Sequence, residues 1–245
     1  MTTLILPTPF VAGGRFCGRP GVANGGWLAG RLAAQLPPGT TVEVTLRAPT
    51  PLDRELRLDV DDDDHQHVRL FGADAGGETL LAEARPATAS PLAPSPVTWA
   101  AAARAETGFR GWWDHPFPGC FVCGHHEPGQ GLRIYPGAVA ERPGTVATRW
   151  LADDTEVTAD GAVPTERVWA ALSCPTGWVH HRRGQLLVLG RLAAKLHRAV
   201  RPGHSYVVVA RADGHEGHRL LSRAGLYDRD GNVVAALQAT WFVQK

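Results

Sequence analysis

The sequence lacks the features that would indicate a membrane, secreted or nucleic-acid-binding protein. No apolar run approaches the ~20 residues that span a bilayer, and the N-terminus lacks a charged region followed by an apolar one and a cleavage site. Four cysteines in 245 residues are too few for a disulfide scaffold, so we expect reduced thiols and a cytoplasmic protein. A net charge of +1, with scattered arginines, gives no field that would attract nucleic acid.

What the chain does contain is a long repeat. Residues 46–60 lead through an acidic stretch to residues 73–86, and residues 196–210 lead in a similar way to residues 227–241. Solenoid repeats recur roughly every 20–50 residues, so this longer spacing indicates two copies of a whole domain. A chain of 245 residues is long enough for two domains of about 100–130 residues, each with its own core.

Each half places one long apolar helix before its main run of strands. Helical spacing of apolar residues predicts one helix over 24–36 and another over 164–181, the second interrupted by Pro175. A short helix is expected at 99–107. Strands are expected at residues 41–46, 55–60, 67–71, 79–84, 132–135, 145–150, 187–199, 205–210, 219–227 and 232–243.

The segment between the halves has the composition of a connector. Residues 85–98 combine Pro, Ala and Ser without periodicity. We therefore expect a first unit at residues 1–86, a linker at 87–108 and a second unit at 109–245. The acidic tract Asp61–Asp64, followed by His65, falls where a hairpin loop is expected, so we predict a solvated turn there and not a metal site.

Two segments resemble a known family. Residues 120–133 (CFVCGHHEPGQGLR) resemble the segment that opens many bacterial hotdog thioesterase-like proteins. Residues 21–26 (GVANGG) resemble the Gly-Val-x-His-Gly-Gly loop at the start of the hotdog helix, with Asn24 where His is common. The resemblance implies an α+β fold, a tandem (double) hotdog in which two antiparallel sheets are each wrapped around a central helix.

The loop formed by Asn24, Gly25 and Gly26 is the first candidate site. A helix N-terminus leaves backbone N–H groups unpaired and carries a partial positive charge. Glycines there would let a thioester carbonyl approach these donors, which could polarise it and stabilise an oxyanion. The alternative is that Asn24 only caps the helix and that the glycines only form a tight turn.

The resemblance also implies an Asp or Glu on the helix of the other unit, as base or nucleophile. Counting to that position gives Ala33 in the first half and Ser173 in the second, so the resemblance implies one site between the Asn24 loop and the Ser173 region. A hydroxyl without a base cannot replace a carboxylate. Ser173 would then orient water, act with a His, or mark a site that only binds; alternatively it bonds the preceding helical turn.

Other side chains near this helix are secondary candidates. Glu166 and Asp160 are the alternative carboxylates, although Glu166 at the start of a helix also complements the dipole. Arg182 follows the helix, where a cation would favour a CoA-type thioester or simply offset the dipole.

The pair Cys120 and Cys123 is expected to consist of small buried thiols. A structural zinc site normally needs a second pair of ligands at a recognisable spacing, and Cys17 and Cys174 stand alone in the sequence. We therefore expect neither a bound metal nor another cofactor.

These observations predict hydrolysis of an acyl thioester carried by acyl-CoA or an acyl carrier protein. The alternative is a non-catalytic acyl-thioester binding or scaffold protein of the same fold, which the missing carboxylate at Ser173 favours. Hotdog dehydratases are disfavoured, because their Asp-x-x-x-x-His helix element is absent. The expected partner is the thioester itself, with no nucleic acid and no membrane, and assembly into a homo-oligomer is left open.

Overall fold

The computed structural model describes residues 9–61, 66–74 and 77–244. Within these ranges the chain forms three α-helices, which are α1 (Gly25–Ala33), α2 (Trp99–Thr107) and α3 (Thr165–Trp178). Most of the acidic tract predicted to be a turn, residues 62–65, lies outside the described residues. None of the helices in the described part of the chain is long and apolar enough to cross a membrane.

Thirteen strands occur in the same part of the chain. They are β1 (Pro9–Val11), β2 (Cys17–Arg19), β3 (Val22–Ala23), β4 (Val42–Leu46), β5 (Glu55–Val60), β6 (Val68–Asp74), β7 (Gly77–Pro86), β8 (Gly137–Ala138), β9 (Thr145–Leu151), β10 (Leu187–Leu196), β11 (Ser205–Glu216), β12 (Arg219–Tyr227) and β13 (Val233–Val243). Strands β2 and β3 form a small hairpin of their own.

The other strands form one antiparallel sheet of 11 strands, in the order β1-β5-β6-β7-β4-β10-β13-β12-β11-β9-β8. The two sheets that the resemblance implies, one for each helix, are therefore joined into one continuous sheet and are not separate. Strand β4 pairs with β10, with Val44 opposite Leu192, so the strands before residue 86 and those after residue 137 share one hydrogen-bond ladder. The physical reason is that β4 would otherwise be a free edge of the first five strands, with unpaired backbone N–H and C=O groups.

Helices α1 and α3 pack against each other and against the sheet. Helical spacing of the apolar residues in the two helices places Trp27, Leu28, Leu32, Trp169, Leu172 and Trp178 in the core. The first five of these side chains are at most 3% exposed, whereas Trp178 is only partly buried. Helix α2 has the predicted bounds and packs against β8, β9 and β11.

Two local predictions are wrong. Residues 132–135 are not a strand, because the N–H groups of Leu132 and Ile134 donate to the carbonyls of Phe121 and Val122 and not to a sheet. Pro175 does not interrupt α3, which continues to Trp178. Ten of the 14 residues of α3 are buried, and their packing offsets the ~3 kcal/mol that an interior proline costs.

Candidate active site

A cavity of about 260 Å³ opens where the start of α1 meets the C-terminal part of α3. The rest of its wall comes from the β2–β3 hairpin, the segment at residues 46–50, strand β10, Trp241 and the segment from His115 to Cys123. Much of the lining is apolar, and it includes Leu46, Phe117, Trp178 and Trp241. A chamber with apolar walls beside a helix N-terminus suits a ligand that has a hydrocarbon chain and one polar, reactive group.

Asn24 is the N-cap of α1 and also contributes to the cavity wall. Its Oδ1 accepts hydrogen bonds from the N–H groups of Gly26 (3.0 Å) and Trp27 (3.1 Å), so the predicted capping role is observed. Its Nδ2 lies 3.5 Å from Cys120 Sγ and 3.7 Å from Cys174 Sγ. The side chain is only 5% exposed, so cap and thiols hold the amide in one orientation.

The two glycines differ in what their amides can do. The Gly26 N–H is used by the cap, whereas the Gly25 N–H has no hydrogen-bond partner within the described residues and Gly25 lines the cavity. Gly26 needs glycine for space, because a Cβ there would overlap the Ser173 side chain. A Cβ on Gly25 would lie 2.8 Å from Leu46 Cδ1, at the end of a flexible side chain that can move aside.

The Asn24 loop and Ser173 lie next to each other, but the Ser173 hydroxyl forms its hydrogen bond within α3 and not with the loop. Ser173 is 1% exposed, and its Oγ donates to the carbonyl of Ala170 at 2.9 Å. Glu166 does not line the cavity, because it lies at the other end of α3 and pairs with Arg31 at 3.2 Å. Asp160 also lies away from the lining, and so does the exposed Arg182. Among the described residues, no carboxylate lines this cavity.

Three cysteines meet at the cavity wall. The Sγ atoms of Cys120, Cys123 and Cys174 all lie within 4.8 Å of one another, with 3.9 Å between Cys120 and Cys174. Hydrogen bonds from the thiol of Cys123, then from that of Cys174, lower the pKa of Cys120 well below its usual value. Hydrogen bonding to Cys120 raises the pKa of both other thiols. The three thiols therefore form one cluster in the cavity wall.

Two histidines that were not predicted as site residues also line the cavity. His115 accepts a hydrogen bond from Phe117 N–H at Nδ1 (3.0 Å), and its Nε2 bonds the Cys123 carbonyl (3.1 Å). The Nε2 of His181 is buried and has no partner among the described residues. Burial lowers the pKa of both rings, so both are neutral at pH 7. The His181 ring therefore has a buried Nε2 without a partner among the described residues, in a residue that lines the cavity.

No protein-family model and no curated protein matches this sequence. Solved structures do match over most of the chain. The tesB protein of Mycobacterium avium subsp. paratuberculosis is 14% identical, with 91% of this chain and 88% of that one covered and a TM-score of 0.56. A hot dog fold protein of unknown function from Alicyclobacillus acidocaldarius is 13% identical, with 94% and 90% covered and a TM-score of 0.57.

A proposed thioesterase II of Thermobifida fusca is 14% identical, with 94% and 90% covered and a TM-score of 0.58. These comparisons place the protein in a structural class. The chain has the α+β hotdog fold with a large antiparallel sheet, and the predicted resemblance to hotdog thioesterase-like proteins is confirmed at the level of the fold.

Proposed function

We propose that the protein hydrolyses an acyl thioester of acyl-CoA or of an acyl carrier protein in the cavity at the start of α1. We also propose that it consists of two hotdog units, residues 1–86 and 109–245, joined by a linker at 87–108. The observation that supports this function best is a Gly25 amide without a partner among the described residues, beside the fixed Asn24 amide, at a helix N-terminus that opens into a largely apolar cavity. The names of two structural neighbours, a tesB protein and a thioesterase II, agree with it.

In this proposal the thioester oxygen accepts hydrogen bonds from Gly25 N–H and from Asn24 Nδ2, which gives up its long 3.7 Å contact with Cys174 Sγ when the oxygen binds. Both donors are held in place before the substrate binds, and the helix dipole adds a partial positive charge. Donors fixed in this way stabilise the oxyanion that forms when water attacks the carbonyl carbon. The apolar walls hold the acyl chain.

His181 is the side chain best placed to activate that water. Its buried Nε2 is unpaired within the described residues, whereas the Ser173 hydroxyl is bonded to Ala170 and Glu166 is paired with Arg31. His181 takes a proton from water as the oxygen attacks the carbonyl carbon. The tetrahedral intermediate then expels the thiolate, the C–S bond breaks, and the proton on His181 passes to the leaving sulfur. Arg182, exposed beside His181, stays a candidate for contact with CoA phosphates.

A second candidate function is binding of an acyl thioester without hydrolysis. One observation favours it: the cavity has no carboxylate among its described lining residues, and Ser173 occupies the position where the resemblance implies one. Such a protein would gain thermal stability from acyl-CoA and leave the thioester intact.

The test is a panel of acyl-CoAs assayed with a reagent for free thiols, applied to the wild type and to Asn24→Ser. Serine is as good an N-cap as asparagine, so the variant keeps the cap and removes the amide donor, including its contacts with Cys120 and Cys174. We expect kcat to fall about 10²–10³-fold, as when an oxyanion-hole donor is lost. The control is Thr98→Ser at the N-cap of α2, which should leave kcat unchanged.

Two outcomes would contradict the proposal. Unchanged kcat in Asn24→Ser would remove the Asn24 amide from the mechanism. A wild-type protein that is stabilised by acyl-CoA, yet releases no thiol from any member of the panel, would establish the binding function instead.

A further inference from the structure

We propose that Cys120, Cys123 and Cys174 form a binding site for one thiophilic divalent cation, with zinc as the ion to test, and that its fourth coordination position faces the cavity. The site joins a Cys-x-x-Cys turn to a third ligand that lies 51 positions beyond Cys123 in the sequence. The proposal does not depend on thioester hydrolysis, because metal content is measured without substrate.

The distances between the sulfur atoms fit a tetrahedral metal site. Zinc–thiolate bonds of about 2.3 Å at tetrahedral angles place neighbouring sulfurs about 3.8 Å apart. Cys120 Sγ and Cys174 Sγ are 3.9 Å apart, and all three sulfurs lie within 4.8 Å of one another. The three atoms therefore already approximate one face of a coordination tetrahedron. Small rotations about χ1 would bring them to the required spacing.

The backbone of the Cys120–Gly124 turn is arranged to support a thiolate. The N–H of Gly124 closes the turn on the Cys120 carbonyl at 2.8 Å, and the nearby backbone N–H groups of Val122 and Cys123 contribute to lowering the pKa of the Cys120 thiol. Gly124 is needed for this turn, because a Cβ there would lie 2.6 Å from the Cys120 carbonyl oxygen. Backbone amides aimed at a ligating sulfur offset the negative charge that thiolates bring to a buried metal site.

Asn24 supplies a further hydrogen bond to the same sulfurs. Its Nδ2 lies within 3.7 Å of both Cys120 Sγ and Cys174 Sγ, and its other end is fixed by the cap of α1. A rigid donor shared between two thiolates is typical of the groups that surround metal ligands and orient them. Simple packing of small apolar thiols would not require an amide donor directed at the sulfurs.

The remaining coordination position is on the cavity side. All three cysteines line the cavity, and no fourth Cys, His, Asp or Glu joins the group in the described part of the chain. Sites with three protein ligands and an open position are characteristic of zinc that contacts water or a ligand, whereas structural zinc has four protein ligands. Water or the bound ligand would complete the coordination here.

The experiment begins with metal analysis of the full chain, purified with a reductant and without a chelator. We expect one zinc per chain in the wild type and its loss in Cys120→Ser, Cys123→Ser and Cys174→Ser. Cys17→Ser is the matched control, because Cys17 lies nearby but bonds the Arg19 carbonyl and is not part of the group. Asn24→Ser should bind zinc about 10- to 100-fold more weakly, as expected when a group that orients metal ligands is lost.

Cobalt replacement gives a readout on the wild type that needs no variant. Cobalt bound to three thiolates produces an intense sulfur-to-cobalt charge-transfer band in the near ultraviolet, and the wild type and Cys17→Ser should both show it. The proposal is overturned if folded wild type has no more zinc than Cys120→Ser and shows no such band. A metal-free protein whose mass is lower by two hydrogen atoms would overturn it as well, because it would show that the thiols form a disulfide instead.

Discussion

At the scale of single residues, the most informative side chains at the cavity are two neighbouring histidines whose pKa values are lowered by burial. His180 and His181 are neighbours in the sequence, and burial lowers the pKa of both. They differ in their hydrogen bonds, since His180 Nε2 bonds the Leu221 carbonyl at 3.1 Å whereas His181 Nε2 has no partner among the described residues. Only His181 lines the cavity. The pair therefore offers a test residue and a control one position apart.

We expect His181→Gln to lower kcat for thioester hydrolysis about 10²–10⁴-fold, which is the usual range for a general base. In the wild type, kcat should fall as the pH drops through the pKa of His181, which burial holds below its usual value of 6.5, because only the neutral ring accepts a proton. The measurement is a pH profile of kcat for both proteins.

The control for this prediction is His180→Gln, which should keep the wild-type profile. Full activity in His181→Gln, or an acidic limb that persists in it, would assign the base to another group. His115 is then the next side chain to test, since it is the other histidine in the cavity wall.

At the scale of elements, the contact between α1 and α3 determines the shape of the site. Two glycines of α1 allow the close approach, because Gly26 lies against Ser173 and Gly30 lies against the backbone of Glu166. Arg31 and Glu166 form an ion pair at the same crossing. The position of α1 on α3 in turn fixes where the Asn24 cap meets the thiol of Cys174 on α3 and the Cys120 turn.

We predict that Gly30→Ala destabilises the protein by about 1–3 kcal/mol, the usual cost of overpacking. An interior helical glycine normally gains stability on replacement by alanine, so a loss would show that the methyl group forces the helices apart. The measurement is the free energy of unfolding in urea. The control is Gly119→Ala, which has open space around its Cβ position and should be neutral. A stabilised Gly30→Ala would contradict the close contact.

Elements with a strong local pattern were predictable from the sequence. Features that depend on contacts between residues far apart in the sequence were not. Apolar spacing predicts α1 and α3 because a helix stripe repeats locally. The same approach places Cys120 and Cys123 in one motif. It cannot join them to Cys174, since the meeting depends on how α3 crosses the Cys120 turn. The strand predicted at 132–135 is wrong for a related reason. Its backbone N–H groups donate to carbonyls of the Cys120 turn and not to a strand of the sheet.

At the scale of the whole molecule, the two halves share a sheet and a helix contact. Strand β10 is bonded to β4 on one side and to β13 on the other, so the ladder continues from the first half into the second. Pairing between β4 and β10 could not be predicted from either half alone, because each strand has the alternation of an ordinary sheet member and nothing local specifies its neighbour.

This arrangement predicts one cooperative unfolding transition for the whole chain. Unfolding either half alone would expose the β4–β10 ladder and the buried faces of α1 and α3, so partly unfolded states are costly. Val44→Ala tests the point, because Val44 is fully buried on β4 opposite Leu192. Removing two methyl groups there should cost about 2 kcal/mol.

Hydrogen exchange in increasing urea provides the measurement, with peptides from β4 and from the distant β12 as reporters of the two halves. We expect Val44→Ala to reduce protection equally in both peptides, since both open only in the global transition. Val11→Ala, on the exposed part of edge strand β1, serves as the control and should change neither. Loss of protection confined to β4 would show that the halves unfold separately, and the shared sheet would then join them without coupling their stabilities.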